Sequence, residues 1–477
     1  MKKVAIGEYI TEVKPLLKKL LSRLLEKFEY ASILATESKG RLYSASKKNI
    51  AIREDAMATE RGFCVRVISN GIMAEHSFNE IKEELIGEIF ERICVELENL
   101  KRQIPEGINF RRISVPNEEE TYFCEATEYE IHPSELGDEK IIDMLKSLVK
   151  EALSYDENIK DCEARARYQE YTKLFLSDKK DMTQSVMWTA GTISIYVSKG
   201  EIFRDSYTPC SILGGAEIFG EMEKKLKDGC EAALALLNSE HIKPGEYECI
   251  CAPDVTGMIV HEAFGHGVEM DMFVKDRAQA KDFIGQYVAS ELITMHDGGK
   301  AIPQVASFFF DDEGVEAGDT VIIEKGILKR GMADSVSADY LGCRPTGNGR
   351  RESFSRKAYT RMTNTIFEPG ESSVDDMIAS VKYGMLLTQA SSGMEDPKNW
   401  GIQCMVSMAQ EIVDGKLTGK VFSPIVLTGY VPDLLKSITM ISKDFEAGGT
   451  GFCGKGYKEW VKVSDGGPYI KARIHLC

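Results

Sequence analysis

The chain has 477 residues, too many for one ordinary domain, and its 43% hydrophobic and 28% charged content is that of a globular protein with ample apolar material for its cores. Fifty-nine Lys and Arg against 75 Asp and Glu leave a formal charge of −16, which excludes a broadly basic nucleic-acid scaffold, so no nucleic-acid partner is expected. No apolar run is long enough to cross a bilayer, and charges interrupt residues 14–27 too often for a signal peptide. No membrane association is expected, and the location expected is cytoplasmic, with the twelve scattered cysteines reduced.

Leu17, Leu20, Leu21, Leu24 and Leu25 fall on one stripe of an amphipathic helix, which either lies on a membrane surface or, more simply, docks on its own domain. Residues 31–69 alternate in short runs, and the pairs Lys39-Gly40 and Asn70-Gly71 predict turns in an antiparallel meander. Ile81, Leu85, Ile89, Ile93 and Leu97 place a helix over 80–100. A second long helix over 140–153, an alternating region over 166–203 and a third long helix over 216–237 follow, and Lys243-Pro244-Gly245 then reads as a linker. Beyond it, strand-like runs dominate, at 307–310 and at 320–324 with a Lys325-Gly326 hairpin turn, then around 386, 404–408 and 421–427. Helices there are short, at 373–382, at 432–437 and at the segment described next. The expected fold is α+β. An N-terminal domain over 1–243 combines antiparallel sheet with long helices, in two similar runs of elements that are candidates for two subdomains. A β-rich C-terminal domain over 244–477 carries the chemistry. Cys249 and Cys251, two apart on a strand, share a face and read as buried core thiols.

A strand ending at Pro253 leads to Asp254, expected as the N-cap of a helix that contains His261-Glu262-Ala263-Phe264-Gly265-His266. Histidines four apart on a helix, with a glutamate between, share one face and bind zinc. Here the separation is five, which on a regular helix turns the second side chain by about 140° rather than about 40°. Both imidazoles can reach one ion only if the helix contains a π-type bulge or breaks near Gly265. The plain alternative is one surface and one core histidine. Catalytic zinc takes three protein ligands, and the residues leave the third open among Glu269, Asp271 and an exposed cysteine elsewhere. The segment 448–456, rich in glycine around Cys453, superficially matches a phosphate loop and a dinucleotide fingerprint. Gly456 stands where a phosphate loop needs Ser or Thr, and too few residues follow for a βαβ unit of about thirty. It reads instead as a turn that brings one cysteine close to a buried site.

Five stretches carry a wider likeness: His261-Glu-Ala-Phe-Gly-His-Gly-Val-Glu-Met-Asp271, Phe310-Asp-Asp-Glu-Gly314, Thr346-Gly-Asn-Gly-Arg-Arg-Glu-Ser353, Arg361-Met-Thr-Asn-Thr365 and Cys453-Gly-Lys455. In these the chain resembles the TldD/PmbA family, in its TldD-like members, over most of residues 246–477. The resemblance implies His261, His266 and Cys453 as zinc (Zn2+) ligands and Glu262 as the catalytic carboxylate. It further implies a zinc-dependent peptidase for unfolded or extended peptides, working as a homodimer or as a heterodimer with a PmbA-like subunit. Two other functions remain open on the residues: a zinc hydrolase of a non-peptide amide, and a regulator or adaptor with a purely structural zinc. The segment Asn348-Gly-Arg350-Arg351 either donates hydrogen bonds to a substrate or is a turn with solvated arginines.

Overall fold

The structure is a computed structural model and describes residues 1–55, 59–104, 111–456 and 458–477. The N-terminal half is built on an eight-stranded sheet centred on the long strand Tyr30–Ala45. That strand pairs antiparallel with Glu60–Ser69 on one side and Ile159–Ser177 on the other. Ile72–Phe78 completes one edge, and Lys180–Lys199 and Ile202–Ile212 complete the other. Successive side chains of a strand point to opposite faces, so the sheet has two distinct sides. Ile33 and Ala35 join Leu17, Leu20 and Leu24 of the helix Glu8–Leu25 and Ile89 and Ile93 of the helix Ile86–Gln103 in one core. The helices Asp138–Tyr155 and Phe219–Leu236 pack on Ala164, Ile193 and Ile195 farther along the sheet. The leucine stripe of the first helix is therefore spent on the protein's own sheet, each side chain contributing about 2 kcal/mol by its burial. No helix among the described residues is long and apolar enough to cross a membrane.

The opposite face of this sheet is apolar as well, and it meets the C-terminal half. Leu34, Phe175 and Met182 pack on Phe310, and Trp188 and Ala190 on Val305. This contact corrects one expectation: residues 307–310 form no strand, only an isolated bridge from Phe310 to Glu316. Their backbone is held by a side chain instead, since Gln184 Oε1 accepts from Phe309 N at 2.7 Å and Gln184 Nε2 donates to Phe310 O at 2.8 Å. The phenylalanines are apolar because they lie under another sheet. A second correction concerns Lys39-Gly40, which makes no turn. The strand runs straight through it, exchanging the partner Glu60–Ser69 for Ile50–Glu54, with Ser38 opposite Glu60 and Arg41 opposite Glu54. The turns at Asn70-Gly71 and Lys325-Gly326 form as expected, all four residues having positive φ.

The C-terminal half holds an eleven-stranded sheet, part of which closes into a ring. Gly245–Cys251 pairs with Tyr383–Asp396, which pairs with Gly401–Val413, then Ile425–Tyr430, then Ser464–Leu476, and the last pairs back with Gly245–Cys251. Closure leaves no free edge within that ring. The segment that follows Gly245–Cys251 packs on Ser464–Leu476 and Tyr383–Asp396, in a core running from Ile242 to Leu476. The fold is α+β, as expected, with a β-rich C-terminal half that contains a barrel.

Candidate metal centre

The strand Gly245–Cys251 gives way to the helix Pro253–Ile259. Pro253, with its φ already helical, takes the first helical position and Ala252 becomes the N-cap. Asp254, expected to cap, therefore lies within the first turn, where its Oδ2 accepts from Ala390 N at 2.9 Å. The helix then widens to a π-turn over Val260–Gly265 and tightens to a 3₁₀ turn over His266–Val268. The wider turn accommodates the five-residue spacing, because it adds one residue per turn and brings the two histidines to the same side. Their rings lie 5.2 Å apart, nearly perpendicular. Gly265 is needed there, since a Cβ would fall 2.2 Å from Met362 Sδ.

Cys453 comes from far along the chain, on the strand Phe452–Lys455, opposite Val461 of Lys458–Lys462. Gly449 allows the approach of this segment, as its Cβ would fall 2.4 Å from Val463 O. Cys453 Sγ lies 3.2 Å from His261 Nε2 and 3.3 Å from His266 Nε2. The three ligand atoms fall within 4.8 Å of one another, and among the described residues they are the one group of His, Cys, Asp or Glu so placed. Burial would push the Cys453 thiol up, but the two histidines beside it outweigh burial and hold it down at about 4. Burial likewise lowers His266, and the sulfur and Glu269 more than reverse this. The groups thus form a buried thiolate between two imidazoles, a site that favours positive charge. Two nitrogen donors and one thiolate, with no fourth protein ligand among the described residues, fit a zinc ion in an open catalytic arrangement.

The other ligand candidates are turned away from this point. Glu269 accepts from buried Arg361 (Nε to Oε1, 3.3 Å) and pairs with Lys455 (3.0 Å), while its Oε2 lies 3.4 Å from His266 Nδ1. Asp271 pairs with Lys455 at 2.6 Å and Lys275 at 2.9 Å. Glu269 stands where it accepts from His266 Nδ1–H, a hydrogen bond that leaves the Nε2 lone pair facing the site beside Cys453. Arg361, wholly buried, also donates to Cys453 O at 2.9 Å and Cys453 Sγ at 3.1 Å. Lys455, which a phosphate loop would have aimed at a ligand, is already saturated by two carboxylates and Thr360 O. Glu262, between the histidines in sequence, packs its side chain where Gly393 leaves room, a Cβ there falling 2.4 Å from Glu262 Cγ.

Asn348 and Arg351 are buried and held, and Arg350 is half-buried. Asn348 Nδ2 donates to Asp297 Oδ1 at 2.7 Å and to Arg361 O at 3.0 Å, and Arg351 pairs with Glu75. The roles of Arg361, Glu269 and Lys455 were missed from the sequence. Arg361 and Lys455 stood inside quoted motifs, and a buried arginine near a metal motif needs an anion, but only the fold says which one.

The comparisons with known proteins bear on the same region. Residues 244–474 match the family described as the PmbA/TldA metallopeptidase C-terminal domain. A metalloprotease TldD homolog of Buchnera aphidicola (Schizaphis graminum strain) is 36% identical over 261 residues, covering 54% of this chain and 53% of that protein. A zinc metalloprotease TldD homolog of Saccharolobus solfataricus is 34% identical over 232 residues, 48% of this chain and 51% of that one. The chain thus spans about half the length of these curated relatives. The crystal structure of TldE from Thermococcus kodakarensis matches the fold with a TM-score of 0.74 at 18% identity, over 96% of this chain and 99% of that one. The family model and the curated relatives thus agree on residues 244–474, which match a PmbA/TldA metallopeptidase C-terminal domain, and the likeness of fold extends over nearly the whole chain.

Proposed function

We propose that this chain is a zinc-dependent peptidase acting on unfolded or extended peptides, with His261, His266 and Cys453 as the metal ligands and Glu262 as the general base. The observation that carries the reading is the convergence of His261 Nε2, His266 Nε2 and Cys453 Sγ within 4.8 Å across a π-turn. Zinc held by His261, His266 and Cys453 would supply Lewis acidity and a bound water of lowered pKa. Glu262 takes the proton of the attacking water and returns it to the departing amine. Glu269 holds the His266 imidazole in one tautomer, and Arg361 fixes both Glu269 and the Cys453 sulfur. A peptide added as an extended strand is read by its backbone, which suits broad specificity for unfolded chains. The reading includes residues 1–243 and 244–477 as two domains, supported by the span of the family match. It also includes a dimer, of two copies or with a PmbA-like subunit, supported by the likeness to a chain named TldE.

The test compares the wild type with Glu262→Gln for zinc content and for cleavage of an unstructured peptide, with and without a PmbA-like partner. Both proteins should hold one zinc, and the variant should cleave about 10²–10⁴-fold more slowly. Equal cleavage by the two would remove Glu262 from the chemistry, and zinc without any cleavage would make the site structural.

A further inference from the structure

A cavity of about 90 Å³ lies between the second face of the N-terminal sheet and the C-terminal half, beside the metal centre. Tyr171 and Trp188 line it from the sheet, and Phe308, Arg350, Phe452 and Lys462 from the other side. It shares a wall with the metal centre: Phe452 precedes Cys453, and Lys462 follows Val461, the strand partner of Cys453.

Its cations are unevenly neutralised. Lys173 is paired with Asp312, and Arg351 with Glu75, as is Arg167 close by with Asp55. Lys462 and Arg350 have no carboxylate at ion-pair distance among the described residues. Lys462 is 7% exposed, and among the described residues its hydrogen bond is to Gly451 O at 3.0 Å. The ammonium otherwise faces the rings of Trp188 and Phe452, 4.5 and 4.9 Å from their centroids. Arg350 donates to Met362 O at 2.6 Å and lies 5.5 Å from the centre of the Phe308 ring. An ammonium has three donors and a guanidinium five, so both cations keep donors to spare. Burial, with Arg167 and Arg350 adding to it, pushes the Lys462 ammonium well below its ordinary range. Asp311, on the same wall, is turned to the backbone instead: its oxygens accept from the N–H groups of Glu313, Val315 and Gly349, while burial and the neighbouring Glu313 push its carboxyl up.

The cavity's other carboxylates are engaged elsewhere, Asp312 by Lys173, Glu60 by Phe354 N, and Glu352 by Glu459 N and Arg356. A buried Lys462 and a half-buried Arg350, with open donors and no carboxylate at ion-pair distance among the described residues, beside aromatic walls, describe a receptor for an anion attached to an apolar group. We infer that this cavity is a substrate subsite that takes a carboxylate, held by Lys462 and Arg350 while the peptide lies across the metal centre. The inference rests on the peptidase reading for the nature of the substrate. The carboxylate belongs either to the C-terminus of the peptide or to an acidic side chain, and both present the same chemistry. The volume suits one such group with a small apolar neighbour and is too small for a nucleotide.

The test is calorimetric titration of the zinc-loaded Glu262→Gln protein, which removes the proposed base so that binding is read by itself. The probes are an N-acetylated tetrapeptide of alanine and leucine ending in phenylalanine, as the free acid and as the carboxamide. A second pair of carboxamides carries one glutamate or one glutamine. Within one pair, the peptide with the carboxylate should bind at least about tenfold tighter than its neutral counterpart, and the pair that discriminates identifies the source. Adding Lys462→Met should shrink that ratio below about twofold, with Lys462→Arg keeping more of it. If neither pair discriminates, or if the ratio survives Lys462→Met in a protein that melts cooperatively, the subsite is overturned. The comparison of probes decides without any substitution at Lys462, and Arg350→Met supplies a second variant should Lys462→Met not fold. Discrimination without cleavage by the wild type sinks the peptidase reading and leaves the subsite standing, whereas cleavage without discrimination sinks the subsite alone.

Discussion

Glu269 and Asp271 were open as third ligands because a carboxylate just downstream of a histidine pair is chemically equal to the task. What separates them from Cys453 is their cations. Arg361 and Lys455 hold both oxygens of Glu269, and Lys455 and Lys275 hold Asp271, so a metal would have to displace those pairs. Glu269 remains useful through His266 Nδ1. Glu269→Gln keeps the shape and removes the charge that fixes the imidazole, so zinc affinity should fall by about 10–100-fold. Competition with a chelator of known affinity measures this. An unchanged affinity would reduce Glu269 to a packing residue. No sequence pattern could have chosen between these roles, since the deciding partner, Arg361, is ninety-two positions away from Glu269.

At the scale of elements, the spacing of His261 and His266 was the most informative feature of the chain. A separation of five is incompatible with a regular helix around one ion, and a π-turn is the element observed. The local rule was legible because it depends on only six residues. The strand that backs the motif was legible only as an apolar run near Leu386. Tyr383–Asp396 brings Gly393 so close to Glu262 that a side chain would collide with Glu262 Cγ at 2.4 Å. Gly393→Ala should therefore shift Glu262 while leaving the three proposed ligands in place. Peptide cleavage should fall by about 10²-fold, the effect of a misplacement near 1 Å, with zinc content unchanged. Loss of zinc in step with activity would mean that the strand supports the ligands and not the base.

For the whole molecule, helices and hairpins followed from periodicity and turn chemistry, but the faces of the N-terminal sheet did not. A sheet apolar on both sides gives runs that look like any buried strand, and the partner of its second face lies in another part of the chain. Residues 307–310 were misread as a strand for the same reason. The junction between the two halves is also electrostatic, and its charges make a prediction. Glu75, on the edge strand Ile72–Phe78, accepts from Arg66 Nε at 2.8 Å and from Arg351 Nη1 of the C-terminal half at 3.2 Å. Arg66 in turn pairs with Glu313 at 2.6 Å. Burial would raise the Glu75 carboxyl, but the two arginines outweigh it and bring it from 4.5 to about 2. A carboxylate with a depressed folded value stabilises fully above its unfolded value and loses that contribution as pH falls through the folded one. The charged form of Glu75 should thus be worth about 3 kcal/mol above pH 5, declining steadily towards pH 2. Urea unfolding of the wild type and Glu75→Gln at several pH values measures it. The variant should be the less stable at neutral pH, and the gap should narrow by about that amount between pH 5 and pH 2. A gap that stays constant with pH would place the stabilisation in packing at the junction and not in the charge of Glu75.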